Sequence, residues 1–364
     1  MKIYKRFFIT HLLPRHMIAQ HGLSFAACNF SYNLISGGGF DHVFSLMPLF
    51  VGGKLDSSAY TDEFKLIYQQ PLRRMGWLGR HLASLYEQWQ MFRQIPSGVS
   101  VWFYNLTVHN AFLFLLLKLF QKQTQLNFIV LDLTPPFYVF SKNRLFLRLI
   151  NGAHGRICLS HSELFQSENS VVLPGVIGMD AHHILPLTKR NNSFLLCGVM
   201  NEVISQTSMV LRTFAQLPQC ELHITGMPDD ESLVKDYAAK YPNIIYHGIL
   251  TSEDYLELLH QITFVLSTRN PESPENQCNF PSKIIEALFH NRAVISTMAY
   301  SQLKDISYFK ISSEDILFRE GIKKIIGMDE RQLSGYANQH QLIYDKFNPK
   351  VWNEAMEVIE RKCD

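Results

Sequence analysis

Residues 264–297 read FVLSTRNPESPENQCNFPSKIIEALFHNRAVIST, and the order of patterns in this stretch indicates the fold class. The apolar run at residues 264–267 predicts a buried strand, and residues 269–278 form a loop rich in Pro and Asn. Residues 281–290 predict a helix, and residues 293–297 predict a second buried strand. Because continuous apolar strands separated by helices are typical of a parallel sheet covered on both faces, we predict an α/β fold.

The same alternation of strands and helices runs through both halves of the 364-residue chain. Further apolar runs that predict strands lie at residues 25–28, 99–104, 127–132, 157–160, 170–173, 193–197, 221–225 and 244–246. A polar stretch without periodicity, within residues 180–192, separates the two halves. We therefore predict two Rossmann-like, doubly wound domains that face each other across a cleft, at residues 1–185 and 186–345.

The composition limits the classes of protein. Hydrophobic residues make up 47% of the chain and charged residues 18%, which excludes a disordered or collagen-like chain. A multi-span membrane protein is excluded because the most apolar run, residues 111–120, is short and contains Lys118. The basic start of the sequence is not expected to be a secretory signal, since Pro14 and Arg15 interrupt it. The six cysteines lie far apart, and we expect reduced thiols in a cytoplasmic protein.

The charges are divided unevenly between the two halves. Residues 1–185 contain 16 Lys and Arg against 9 Asp and Glu, whereas residues 186–364 contain 18 against 23. Basic and apolar side chains are mixed at residues 72–81 and 143–148. Further basic residues near the start of the chain are Lys2, Lys5, Arg6 and Arg15. These segments predict either a face that contacts an anionic membrane or ordinary solvated helices. Nucleic acid is not an expected partner, because no known nucleic-acid-binding module is present.

The start of the predicted helix at residues 281–290 has the chemistry of an anion site. Pro281 suits the first helical turn, where its missing N–H costs nothing, and the backbone amides of Ser282 and Lys283 then point out of the helix end. The Lys283 ammonium adds a positive charge suited to phosphate. Glu286 lies on the same face as Ser282, where its carboxylate would accept hydrogen bonds from ribose hydroxyls. The pattern predicts a nucleoside diphosphate site, with a plain amphipathic surface helix as the alternative.

This motif, NFPSKIIE at residues 279–286 followed by a Val-Ile-Ser strand, resembles the donor site of GT-B glycosyltransferases, especially the family 4-like group. The resemblance implies an enzyme that transfers a sugar from a nucleotide-diphosphate sugar, with a UDP-sugar as the first choice and with retention of configuration. It implies no cofactor and no metal, and the sequence has no DxD motif. Members of this family often have two Glu residues in this motif that are separated by seven other residues. The second is Glu286 here, but Cys278 stands at the first position, where Glu275 substitutes only if the loop bends.

The remaining donor-side candidates flank this motif or follow other predicted strands. Relatives often place an Arg and a Lys after the Gly of the first strand of the second domain, but the sequence after Gly198 has neither. We expect the missing charge to come from Lys283 and Arg269, with Arg269 as either a diphosphate ligand or a loop anchor. The glycines at residues 37–39 predict a loop that borders the cleft, or a flexible turn. The full donor-side set is Pro281, Ser282, Lys283, Glu286, Arg269, Asn279, Gly198, Gly38 and Gly39.

Polar residues at the ends of predicted strands in the first half indicate the acceptor side. Asp132 ends a strand before a Pro-rich turn, where it would act as a base toward an acceptor hydroxyl or else cap the turn. His109 is the second catalytic candidate, and it follows another strand together with Asn105. His161 follows a third strand, and we assign Asn105 and His161 to acceptor binding. For each of these residues a purely structural role is the alternative.

The predicted function is glycosyl transfer to a glycan acceptor, which we expect to be lipid-linked, in bacterial capsule or surface-polysaccharide synthesis. Residues 1–185 would bind the acceptor, and residues 186–345 would bind the nucleotide sugar. A last helix within residues 346–364 would cross back to the first domain, as in the family. Two alternatives stay open, namely a catalytically silent GT-B partner protein and a UDP-sugar epimerase of the same fold. We expect a cytoplasmic location, either free or peripheral on the inner face of the membrane.

Overall fold

The structure is a computed structural model that describes residues 4–18, 25–49, 62–68, 70–131, 141–162, 164–165, 169–178, 184, 187 and 191–362. The chain divides into two compact units. Unit 1 consists of Met1–Met179 together with Phe347–Asp364, and unit 2 consists of Asp180–Lys346. Each unit is built on one parallel sheet with helices between its strands, so the predicted α/β class is confirmed.

The sheet of unit 1 has seven strands in the order β3-β2-β1-β4-β5-β6-β7. The strands are β1 (Arg6–Thr10), β2 (His42–Leu46), β3 (Lys65–Ile67), β4 (Ser100–Tyr104), β5 (Gln125–Val130), β6 (Gly155–Cys158) and β7 (Ser170–Val172). Their pairings are parallel, and Phe8 of β1 lies between Val43 of β2 and Trp102 of β4. The strand order reverses between β1 and β4, and ligands of open α/β sheets bind at the carboxyl ends of strands at such a reversal.

Five helices of the described residues connect these strands, and they cover the apolar faces of the sheet. They are α1 (Phe25–Ser36), α2 (Gln70–Arg73), α3 (Gly76–Phe92), α4 (Ala111–Phe120) and α5 (Lys142–Asn151). A short 3-10 helix at Arg15–Met17 follows β1. The side chains of Phe8, Phe103 and Phe128 are fully buried in the core between helices and sheet. Helix α3 packs along α4.

Residues 25–28 do not form the predicted strand, because they are the first turn of α1. The apolar pattern continues past Cys28 with Phe30 and Leu34, which are buried, so the run is the start of an amphipathic helix. The first strand is β1, whose five residues stand within the basic start of the chain and give no separate pattern. The glycines at residues 37–39 therefore follow a helix rather than a strand.

The sheet of unit 2 has six parallel strands in the order β10-β9-β8-β11-β12-β13. The strands are β8 (Ser193–Met200), β9 (Glu221–Pro228), β10 (Ile244–Tyr246), β11 (Phe264–Ser267), β12 (Ala293–Ser296) and β13 (Phe309–Lys310). The order reverses between β8 and β11, as in a dinucleotide-binding sheet. Phe194 and Phe264 stack at a centroid distance of 4.8 Å in the centre of this sheet.

Eight helices lie between and after these strands. They are α6 (Thr207–Phe214), α7 (Glu231–Lys240), α8 (Ser252–Gln261), α9 (Pro274–Cys278), α10 (Lys283–Phe289), α11 (Asp315–Ile326), α12 (Glu330–Ala337) and α13 (His340–Phe347). A 3-10 helix at Ser301–Leu303 follows β12. The core beneath them is a cluster of buried apolar side chains that includes Val210, Leu222 and Phe318. Among the described residues, no helix is both long and apolar enough to cross a membrane.

The last helix, α14 (Pro349–Arg361), belongs to unit 1. The Glu360 carboxylate accepts hydrogen bonds from Arg6, with Nε–Oε1 at 2.9 Å and Nη2–Oε2 at 2.8 Å. Oε1 also accepts from Ser100 Oγ at 2.6 Å and from Trp102 Nε1 at 3.0 Å. Near the start of the helix, the fully buried indole of Trp352 donates to Gly175 O at 2.8 Å. A buried, multiply bonded carboxylate fixes the position of α14 on the sheet.

Two of the three consecutive glycines lie against α14. A Cβ atom on Gly37 would lie 2.1 Å from Pro349 Cβ, and one on Gly39 would lie 1.7 Å from Asn353 Oδ1. Asn353 Nδ2 donates to Gly37 O at 3.2 Å. Gly38 has a φ of +67° and no heavy atom within 4 Å of its Cβ position. The helix contact accounts for the absence of side chains at Gly37 and Gly39, and the turn conformation accounts for Gly38.

Candidate functional site

In unit 2 the residues of the candidate donor site gather at the carboxyl end of β8, beside the reversal of strand order. The Lys283 ammonium, at the start of α10, donates a hydrogen bond to the Cys197 carbonyl of β8. A Cβ atom on Gly198 would lie 2.9 Å from Lys283 Nζ, so a side chain at this position would displace the ammonium group. The fold thus places a positive charge at the strand end where a sheet of this topology binds its ligand.

Gly198 also has a backbone conformation that favours glycine, with a φ of +96°. It pairs in register with Gly226 of β9, whose φ is +126°. A Cβ atom on Gly226 would lie 2.2 Å from Gly198 O. The two strands therefore have a pair of glycines two residues before their ends, and Gly198 and Val199 near the end of β8 are exposed. An exposed backbone beside an ammonium group suits a phosphate group.

Glu286 lies one turn into α10 and is half-buried. The phenol of Tyr255, on α8, donates to Glu286 Oε2 at 3.1 Å, and the same phenol oxygen lies 3.8 Å from Cys197 Sγ. Burial raises the pKa of Glu286 above its ordinary value, although the Tyr255 hydrogen bond and the Lys283 charge both lower it. Burial raises the pKa of Tyr255 well above its ordinary value, so this phenol stays a donor. The hydrogen bond from Tyr255 thus fixes the position of the Glu286 carboxylate.

The start of α10 differs slightly from the prediction. The helix begins at Lys283, and its first backbone bonds run from Ile284 N to Pro281 O at 3.1 Å and from Ile285 N to Ser282 O at 3.0 Å. Pro281 is buried, and the Ser282 side chain is exposed and makes no capping bond. The amides of Ser282 and Lys283 precede these hydrogen-bonded turns, as expected for a helix entry that begins with proline.

Arg269 anchors the loop that leads to α10. Its Nη1 donates to Asn276 Oδ1 at 3.1 Å and to Asn279 O at 3.4 Å. Asn276 is buried and donates in turn to Val203 O at 2.7 Å, which ties this loop to the one that follows β8. Thr297 Oγ1 donates to Arg269 O at 2.5 Å. The contacts of the guanidinium group and of the buried Asn279 therefore set the shape of the loop.

In unit 1, His109 follows β4 and faces His11, which follows β1, with their ring centroids 5.5 Å apart. These two strands flank the reversal of strand order in this sheet. Burial is the main cause that lowers the pKa of His11 to about 4, and it also lowers the pKa of His109, with Arg73 and His81 as smaller causes. Both imidazoles are therefore neutral at pH 7.

The hydrogen bonds of the two histidines assign their tautomers. The Leu46 carbonyl lies 3.2 Å from His11 Nδ1, and because a carbonyl only accepts, Nδ1 carries the proton. His11 Nε2 is then an acceptor, and it is buried without a hydrogen-bond partner among the described residues. The Leu49 N–H donates to His109 Nδ1 at 3.4 Å, which leaves the proton of His109 on Nε2. Sequence patterns give no reason to pair His11 with His109, since they are far apart in the chain.

The other acceptor-side candidates have different surroundings. Asn105 has a φ of +52°, its Oδ1 accepts from Leu131 N at 2.8 Å, and it thereby joins the ends of β4 and β5. His161 is exposed after β6. Asp132 lies outside the described residues. Within the described ranges, no group of three or more His, Cys, Asp or Glu side chains has a metal-binding arrangement.

No protein-family model and no curated protein matches this chain, but solved structures match its fold. Anabaena Alr3699/HepE in complex with UDP-glucose has a TM-score of 0.69 and 14% identity, over 99% of this chain and 100% of that chain. The lipopolysaccharide outer core galactosyltransferase WaaB has a TM-score of 0.62 and 14% identity, over 97% and 99%. The N-terminal domain of Candida albicans trehalose-6-phosphate phosphatase has a TM-score of 0.73 and 11% identity, over 99% and 97%.

At these identities the similarity shows the fold alone. The family 4-like assignment and the site roles stay predictions. The alignments extend over nearly the whole of each chain, and they match two consecutive units that each have a parallel Rossmann-like sheet. The predicted architecture is confirmed on this ground: the chain has the GT-B fold of glycosyltransferases.

Proposed function

We propose that the protein is a glycosyltransferase that takes its sugar from a nucleotide-diphosphate sugar bound to unit 2. The observation that carries this proposal is the convergence of Lys283, Gly198 and Glu286 at the carboxyl end of β8. The ammonium group and exposed strand end suit the diphosphate, and the carboxylate held by Tyr255 suits the ribose hydroxyls. The solved structures support a UDP-sugar, since Alr3699/HepE is described in complex with UDP-glucose.

The proposed reaction breaks the bond between the anomeric carbon and the β-phosphate oxygen. The nucleoside diphosphate leaves with the electron pair, and its oxygens gain negative charge as the bond breaks. An acceptor hydroxyl oxygen forms the new bond to the anomeric carbon, and its proton passes to the departing diphosphate oxygen. The role of Lys283 is electrostatic, because a fixed positive charge stabilises the leaving diphosphate more than it stabilises the intact donor. Retention of configuration remains part of the proposal.

On the acceptor side we propose that His11 and His109 bind a sugar hydroxyl, with Asp132 as a further candidate. His11 Nε2 offers an acceptor atom and His109 Nε2 offers a donor, which matches a hydroxyl group that both donates and accepts. Asn105 follows β4, as His109 does, and His161 follows β6. A lipid-linked acceptor in surface-polysaccharide synthesis is supported by the similarity to WaaB, which is described as a lipopolysaccharide outer core galactosyltransferase.

Thermal stabilisation by UDP, GDP, ADP, dTDP, CMP and inorganic pyrophosphate tests the donor site. One nucleoside diphosphate at about 100 times its dissociation constant should stabilise the protein by about 2.7 kcal/mol. Glu286→Ala should lose the response to the nucleotide and keep the response to pyrophosphate, whereas Lys283→Ala should lose both. Glu320→Ala changes an exposed carboxylate on α11 and is the matched control. If no ligand stabilises the folded wild type, the donor-site proposal is wrong.

A catalytically silent GT-B protein is the second candidate, and Cys278 favours it. This residue stands where the resemblance expects a Glu, and a GtfA/B complex is among the solved structures that match the fold. Such a protein would bind the nucleotide as the enzyme does, so binding alone does not separate the two. Release of UDP from a panel of UDP-sugars, with polyprenyl-linked saccharides as acceptors, supports the enzyme. Tight binding without release would support the silent protein.

A further inference from the structure

Helix α3 exposes apolar side chains on the face that points away from the protein. Leu78, Leu82, Leu85 and Trp89 follow one another at intervals of one helical turn and form a continuous stripe, and each is exposed. The opposite face, which packs on the protein, contains Gly79, Ala83, Ser84, Glu87, Gln88 and Met91. A surface helix normally presents polar residues to water. The exposed apolar side chains on the outer face of α3 therefore indicate a binding surface.

The stripe continues at both ends of α3. Trp77, at its start, is 70% exposed, and Met75 precedes it with similar exposure. At the other end, Phe92 contacts Phe120 of α4 edge to face at 6.2 Å, and the Phe120 side chain is 71% exposed. Leu119 of α4 is exposed beside it. We call this surface the α3–α4 surface; it consists of Met75, Trp77, Leu78, Leu82, Leu85, Tyr86, Trp89, Leu115, Leu119 and Phe120.

The segment of the chain that contains α3 and α4 is basic. Between Lys65 and Asp132 the sequence has six basic residues and a single acidic one, Glu87. Glu87 is fully buried and forms an ion pair with Arg73, with Nη2–Oε2 at 2.6 Å, so it adds no charge to the surface. The exposed basic side chains on and beside the two helices are Arg74, Arg93, Lys118 and Lys122. The Arg93 guanidinium lies over the Trp89 ring at 5.1 Å.

This arrangement revises the basic face expected from the sequence. Arg73 is buried in its ion pair, and Arg6 is bonded to Glu360, so neither is available for an anionic partner. Lys2 lies outside the described residues. Arg15 lies over the Tyr32 ring at 4.0 Å. The predicted segment at residues 72–81 contributes the exposed Arg74, Trp77 and Leu78, and this exposed surface extends along α3 to α4. The second predicted segment, residues 143–148, lies in α5 and exposes Leu145 and Arg148.

We infer that the α3–α4 surface binds the surface of an anionic membrane. Tryptophan and leucine side chains in one stripe, with exposed Arg and Lys and no exposed acid within α3 and α4 themselves, are the features of an element that lies in the lipid interface. A second copy of the chain fits less well, because two surfaces of the same positive sign repel each other. The inference extends the proposed lipid-linked acceptor, since a membrane-bound enzyme meets that acceptor in two dimensions, but its test needs no turnover.

Co-sedimentation with lipid vesicles tests the inference on the full chain. One set of vesicles is phosphatidylcholine alone, and the other contains about one third phosphatidylglycerol. The wild type should bind the anionic vesicles, and about 0.5 M salt should weaken the binding because it screens charges beyond a few ångströms. The variant Trp77→Ser/Leu78→Ser/Leu82→Ser should lose about ten-fold or more in partitioning. The charge variant Arg74→Glu/Lys118→Glu should lose a similar factor on anionic vesicles only.

The matched control is Ile316→Ser/Leu317→Ser, which replaces two apolar residues of unit 2 that are 67% and 52% exposed. It should bind vesicles like the wild type. Because all the replaced side chains are exposed, every variant should keep its melting temperature and its stabilisation by nucleotide, which separates this test from that of the donor site. Equal binding by the triple variant and the wild type would overturn the inference. So would a wild-type dimer in light scattering that the triple variant converts to a monomer.

Discussion

At the scale of single residues, the proposed donor site depends on side chains that are far apart in the sequence. The motif around Glu286 is local and can be recognised in the sequence, but the residue that holds its carboxylate is Tyr255, which lies on a different helix. Lys283 likewise contacts a carbonyl of β8 rather than a neighbour in its own segment. Local patterns therefore predict which residues carry the chemistry, and the fold decides what orients them.

Replacement of Tyr255 by Phe tests this positioning role. The variant loses the hydrogen bond to Glu286, and since bonds to charged groups contribute about 1.5–3 kcal/mol, we expect nucleoside diphosphate affinity to fall about ten-fold or more. Pyrophosphate affinity should stay the same, because Tyr255 acts through the ribose side of the site. Isothermal titration measures both. The control is Tyr246→Phe, which removes an exposed bond to Glu231 at 3.3 Å. Equal losses for both ligands would show a general disturbance of the site.

Replacement of Glu286 by Gln should stabilise the protein at neutral and alkaline pH. Burial raises the pKa of Glu286, so the fold favours its protonated form. The stability that this group contributes is complete below its ordinary pKa and is lost as pH rises through the raised value. Melting curves across pH should show a gain for the variant that grows with pH and vanishes in acid, together with lost nucleotide binding. A less stable variant at pH 8 would show that Tyr255 and Lys283 outweigh the cost of burial.

At the scale of secondary-structure elements, α14 is the part of unit 1 with the most specific attachment. Its Glu360 accepts hydrogen bonds from Arg6, Ser100 and Trp102 at the same carboxylate. The ion pair is nearly buried, with side-chain exposures of 11% for Arg6 and 7% for Glu360. Removal of this carboxylate would destabilise the fold, because it would leave the buried cation of Arg6 without a partner and the donors of Ser100 and Trp102 unpaired.

Glu360→Ala should therefore reduce the free energy of unfolding by about 3–5 kcal/mol, the usual cost of removing one partner of a buried pair. Urea unfolding followed by tryptophan fluorescence measures this loss. The matched control is Glu357→Ala on the same helix, where the pair with Arg361 is about half exposed on both sides and contributes at most about 1 kcal/mol. Similar small losses for both variants would mean that α14 is held by its apolar contacts alone.

At the scale of the whole molecule, the fold class and most strands could be predicted from the sequence. Strands such as β8, β11 and β12 consist mainly of apolar residues, because both faces of a parallel sheet are covered. β1 could not be predicted, since its central place in the sheet follows from pairing with β2 and β4 rather than from its own five residues. The position of His11 beside His109 could not be predicted for the same reason: only the sheet brings the two rings together.

The return of α14 to unit 1 has a consequence for the synthesis of the protein. The ribosome releases α14 after the whole of unit 2, so the first sheet waits for residues that are translated later than unit 2. At about 5–20 residues per second, the wait between Met179 and Glu360 is about 10–40 s. During this interval Arg6, Ser100 and Trp102 have no carboxylate to bind, while unit 2 has all of its own strands. The half of the chain that is made first is thus the half that is completed last.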